Sequence, residues 1–140
     1  DKLATLGATA IIEALGLLQK NTILAVKQDG TQACYAHKLS KKEALINWQQ
    51  PAEQIARQVR AFNSWPVAQT HFDNKVVRIW QATPQQNTAI NAPLNTGEIL
   101  AVNKNGIQVA CQQDLLNITE LQLAGAKRMT VKDLLNGKPD

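Results

Sequence analysis

At Pro66 the hydrophobic period of this 140-residue chain changes, and that change limits the fold more than any other feature. Before it, apolar residues recur at helical spacing. Leu3, Leu6, Ala10, Ala14 and Leu17 form one stripe, with Ile11, Leu15 and Leu18 beside it, and Ala52, Ile55, Ala56, Val59 and Phe62 form another. After it the period is two. "AQTHFDNKVVRIWQA" predicts a hairpin closed by Asp73-Asn74, and "EILAVNKNGIQVAC" a second with Asn105-Gly106 in the turn. "LLNITELQL" adds a strand or two, and a Thr130/Asp133 cap starts a last short helix to Leu135. The polar stretch "TPQQNTAINAPLNTG" between the hairpins reads as loop. Helices gathered beside short antiparallel strands predict a mainly β, α+β fold, a small closed or partly open barrel.

The helical part divides further. Pro66 biases Trp65 away from helical angles and ends the second helix, while Pro51 suits its first helical position. Gln19 to Tyr35 lacks a helical period and contains an Asp29-Gly30 turn, so it reads as a connector. It leads into "AHKLSKKEALINW", where Ser40 and Glu43 have capping-box spacing. That box makes Lys41 and Lys42 the first residues of a helix. Cations at this end oppose the helix macrodipole and cost about 0.3–1 kcal/mol each at an exposed site. The arrangement points to an anionic partner.

Charge distribution supports the same reading. The chain has 15 basic and 11 acidic residues, a net charge of +4. Between Ala36 and Trp80 stand Lys38, Lys41, Lys42, Arg57, Arg60, Lys75 and Arg78 against Glu43, Glu53 and Asp73, so this third carries the whole excess. Arg57 and Arg60 fall off the apolar stripe of their helix, towards solvent. Lys127 and Arg128 form a second basic pair. The candidate binding residues are therefore Lys38, Lys41, Lys42, Arg60, Lys127 and Arg128.

Other chemistry finds little support. His37 and His71 lack metal-ligand spacing, and no metal is expected. Cys34 and His37, three apart in an extended segment, would point to opposite faces, which argues against a nucleophile–base pair. Cys34 and Cys111, 77 positions apart, belong to no CxxC pair and are expected to be reduced and buried. Seven scattered glycines make no phosphate loop. Trp48, Trp65 and Trp80 sit at element ends or in apolar patterns and are expected in the core. A mean hydropathy of −0.24 suits a soluble domain. No apolar run is expected to reach the roughly 20 residues of a membrane span. No signal peptide is recognised, and a start inside a helical pattern without methionine predicts a fragment of something longer.

"YAHKLSKKEALINW", "RQVRAFNSWP", "VRIWQA", "GEIL", "GIQVACQQDLLNITELQLAGAKRM" and "VKDLLNG", in that order, resemble the carboxy-terminal part of the methionyl-tRNA formyltransferase family. The likeness spans residues 35 to 137. It departs at Lys42, where the family usually has an acid, and at Ser64, Val67 and Ala124. The resemblance implies a small OB-like Greek-key barrel at 40–140, a linker at 19–39, and at 1–18 the last helix of a catalytic domain otherwise absent. It implies formyl transfer from 10-formyltetrahydrofolate to methionyl initiator tRNA, in the cytoplasm and by a monomer, with no membrane partner. The fragment itself would bind no cofactor and hold no catalytic residue. Lys38 and Lys41 would lie in the tRNA-gripping linker. A scaffold barrel of a sugar-nucleotide formyltransferase or of a formyltetrahydrofolate dehydrogenase, or a non-enzymatic nucleic-acid-binding barrel, are the alternatives.

Overall fold

The apolar stripe between Leu3 and Leu18 does form a helix, α1 (Lys2–Gln19), in a computed structural model that describes residues 2–88 and 95–137. Asn21, at φ 53°, ends it in the left-handed conformation. The chain divides into two units, Asp1–His37 and Lys38–Asp140. Within the first, α1 buries none of its residues. Its 18 residues, with Lys2 and Glu13 the charged ones, are long and apolar enough by length and composition to cross a membrane, which corrects the expectation from the sequence. Its leucines and isoleucines raise the average, while glycines, threonines and Glu13 break the apolar run. At 1.5 Å per residue such a helix reaches only about 27 Å. In the connector, the Asp29 carboxylate accepts from the Thr31 N–H at 2.9 Å and its hydroxyl at 2.7 Å, capping a 3₁₀ turn at Gly30–Gln32. Those bonds hold the Asp29 carboxyl below its usual range. Cys34 is exposed, contrary to expectation, because nothing in this connector packs over it.

The second unit is built on α2 (Ala52–Phe62), which buries Ala52, Ile55, Ala56, Val59 and Phe62. Full burial of one such large side chain contributes about 1.5–3 kcal/mol. Pro51 stands one position earlier than expected, as the N-cap. Strands β1 (Ala68–Phe72) and β2 (Lys75–Gln85) form the first hairpin. Asp73 and Asn74, at φ 48° and 59°, make the tight turn their sequence demands. The remaining elements are β3 (Ile99–Asn103), β4 (Gly106–Ala110), β5 (Leu115–Leu123), β6 (Met129–Thr130) and α3 (Val131–Leu135). The Thr130 hydroxyl accepts from the Asp133 N–H at 3.1 Å, as expected of the cap.

Every ladder is antiparallel, in the order β1-β2-β5-β4-β3 with β6 on β5. Strands β2 to β5 thus have the Greek-key order, and β1 and β3 are the free ends of a partly open barrel. Ile55, Val59, Ile79, Leu116, Ile118, Leu121 and Val131 fill its core. Trp48 packs against that core, donates through Nε1 to the Thr70 hydroxyl of β1 at 3.0 Å, and lies under Gly97 ahead of β3. One indole therefore spans the two unpaired edges.

Three expectations shift. Thr83–Gln85 extend β2 instead of starting a loop, with Pro84 opposite Leu116. The rest of that loop lies partly outside the described residues, at 89–94. The second turn is Lys104-Asn105, since Asn103 pairs with Gly106. Trp65 is 54% exposed, and Trp80 is half-buried outside the core.

Candidate nucleic-acid interface

Ser40 and Glu43 pair as their spacing predicts: the Ser40 N–H donates to the Glu43 carboxylate at 2.8 Å. The helix they cap is only a 3₁₀ turn, Lys41–Ala44. So short an element sums too few peptide dipoles for Lys41 and Lys42 to oppose a macrodipole, contrary to the expectation from the capping box. The charge itself remains. Lys38, Lys41 and Lys42 are exposed and, among the described residues, enter no ion pair.

Two attachments fix this lysine turn to the barrel. The Gln58 side-chain amide on α2 donates to the Glu43 carbonyl at 2.8 Å and the Leu45 carbonyl at 3.4 Å. Leu45 then forms a parallel bridge with Gln69 of β1, and the Ile46 N–H donates to the Gln69 carbonyl at 2.8 Å. Ala44 and Ile46 are buried on either side of the exposed Leu45, which anchors the segment.

Arg60 does not join the lysines. It lies two residues past Gln58, roughly 200° around the helix axis from the face that holds the turn. A second cluster gathers around Trp80. Asn63, about a turn beyond Arg60, donates to the Trp80 carbonyl at 3.0 Å. Trp80 occupies the β2 bulge between Ile79 and Gln81, and its Nε1 donates to Gln122 Oε1 at 3.2 Å. The Arg128 guanidinium stacks 4.8 Å from the Trp80 ring centre and pairs with the Glu120 carboxylate, donating through Nε at 2.7 Å and also through Nη2. Arg128 is thus neutralised and held in place, whereas Lys127 is exposed and, among the described residues, in no ion pair.

Of the six sequence candidates, Lys38, Lys41 and Lys42 stand at the turn beside β1, Arg128 lies on Trp80 with Lys127 next to it in sequence, and Arg60 stands apart in the last turn of α2. Arg78 stands between them on the outer side of β2 and was absent from the candidates. Its signal was present in "VVRIW", where the period of two turns Val77 and Ile79 inward and Arg78 outward.

The sequence profile of the formyl transferase C-terminal domain matches residues 38–139. The chain belongs to that family. It is 50% identical over 137 residues to a methionyl-tRNA formyltransferase of Nitrosococcus oceani, covering 97% of this chain and 42% of that protein. A methionyl-tRNA formyltransferase of Hahella chejuensis is 43% identical over 137 residues, covering 98% and 42%. The formyltransferase-domain chain thus spans about two-fifths of the length of these curated relatives. Among solved structures, HypX from Aquifex aeolicus superposes with a TM-score of 0.65 at 18% identity, over 91% of this chain and 23% of that one. HypX in complex with tetrahydrofolic acid gives 0.64 at 18% identity, over 91% and 22%. These superpositions show the fold, mainly antiparallel sheet with a few helices, as the resemblance implied. The relatives, both methionyl-tRNA formyltransferases by name, do not favour the sugar-nucleotide, dehydrogenase or non-enzymatic alternatives.

Proposed function

We propose that this chain is the tRNA-holding part of a methionyl-tRNA formyltransferase, which moves a formyl group from 10-formyltetrahydrofolate to the amino group of methionyl initiator tRNA. The 50% identity to such an enzyme over nearly the whole chain carries the reading. The folate, the catalytic groups and the formyl transfer belong to a preceding catalytic domain, and this part contributes affinity and position. Holding the acceptor end at a distant centre is itself catalytic, since fixed geometry replaces a bimolecular encounter. Cytoplasmic, monomeric action without a membrane follows from the same reading.

The identity extends across α1, which supports taking residues 1–18 as a helix that completes the catalytic domain, not one that spans a bilayer. The division between His37 and Lys38, and the family match beginning at Lys38, support a linker ending close to 39. Lys38, Lys41, Lys42, Arg60, Lys127 and Arg128 are the proposed tRNA-facing cations, the first three foremost because they are exposed and unneutralised. Folded RNA is gripped largely through its backbone and shape, which calls for basic surface more than for base-reading side chains.

Reversing charge at Lys38 and Lys41 (K38E/K41E) is expected to weaken initiator tRNA binding about ten-fold or more in a filter assay, with an unchanged far-ultraviolet spectrum. Unchanged affinity would remove the role assigned to the lysine turn.

A further inference from the structure

Opposite the core, the sheet carries a notch of about 320 Å³, bounded by Gln69 of β1, Val76 and Arg78 of β2, Gln122 and Leu123 of β5 and the turn at Ala124-Gly125. Gln69, Arg78 and Gln122 are direct cross-strand partners, so they form one row over three strands. Bridging of Leu45 to Gln69 extends that row to a fourth segment, the exit of the lysine turn. With strands about 4.8 Å apart, the Arg78 backbone lies only about 10 Å from that of Leu45.

Arg78 is exposed and, among the described residues, has no ion pair and no side-chain hydrogen bond. The carboxylate of Glu120, two residues from Gln122, is occupied by Arg128. Gln122 is fixed at both ends of its amide, accepting from Trp80 and donating to the Ala126 carbonyl at 2.9 Å. A guanidinium fork between two amides, in a notch lined by no acid, is matched to a phosphate diester: the fork offers paired donors and charge.

We propose that this notch binds a backbone phosphate of the tRNA, with Arg78 as its principal ligand, and that it joins the lysine turn to the Trp80–Arg128 cluster in one continuous track. The proposal rests on the tRNA-holding reading above.

Filter binding of tRNA by the chain over a range of salt concentrations tests it. R78Q is expected to weaken binding about five-fold at low salt and to lower the slope of log K against log salt by about 0.7–0.9, the contribution of one phosphate. R78K should keep the slope while losing part of the affinity, because it keeps the charge without the fork. Thermal melts identical to the unaltered chain would show both variants folded. Unchanged affinity and slope in R78Q, beside a loss in K41Q, would overturn the notch and leave the lysine turn standing. Failure of the unaltered chain to bind tRNA in a salt-dependent way would overturn the tRNA-holding reading and the notch with it.

Discussion

Gly106 shows what a single residue decides. It opens β4 at φ +145°, and a Cβ built there would lie 2.2 Å from the Asn117 side-chain oxygen. Asn117 is buried, and its amide donates to the Asn105 carbonyl at 3.1 Å, so it has little room to withdraw. G106A is therefore expected to destabilise the chain by about 1–3 kcal/mol, the cost of a strained backbone, measured by urea denaturation. The Asn-Gly pair was legible as a hairpin signal, but its register was not. The Asn103 side chain accepts from the Asn105 N–H at 2.8 Å and moves the turn one residue back, leaving glycine for a close approach instead of a left-handed corner. Cysteines divide on similar grounds. Cys111 is covered by the core, and burial pushes its thiol up to about 11, while Cys34 lies in a connector whose exposure depends on contacts no local pattern encodes.

Among the elements, helices and hairpins were readable from period and caps, because those signals are local. The boundary of α2, the Asp73-Asn74 turn and the Thr130 cap all follow from residues within a few positions of each other. What joins β1 to the β3 side was not readable. Trp48 precedes both strands, and its place depends on which edges the sheet leaves unpaired. Its truncation tests that place. W48A is expected to cost about 3 kcal/mol, as for a large aromatic removed from a core boundary. W48F should cost about 1 kcal/mol, the share of the hydrogen bond to Thr70. Equal losses in chemical denaturation would show that the indole N–H, not ring volume, spans the gap. The capping box teaches a converse lesson. Its hydrogen bond formed as read, yet four residues of 3₁₀ turn cannot support an electrostatic argument made for a longer helix.

Over the whole molecule, the net charge singled out one third of the chain but not how its cations are arranged. Arg60 and Lys42 belong to the same stretch of sequence, yet Arg60 lies off the α2 face whose Gln58 holds the lysine turn, while Arg78 comes beside that turn through two strand pairings. Only the topology shows that. If Lys41 and Arg78 meet different phosphates, their effects are independent. The fold-loss of K41Q/R78Q in tRNA binding should then equal the product of the single losses; a clearly smaller loss would mean that they share one phosphate. The attachment of the lysine turn has a mechanical side as well. Among the described residues, the segment meets β1 through one backbone bond, from Ile46 to Gln69, with Gln58 bracing it from the side. A pull along the leading chain would load that seam by peeling, one link after another, instead of shearing a whole ladder at once. The lysine turn would therefore come away under tension well before the barrel behind it unravels.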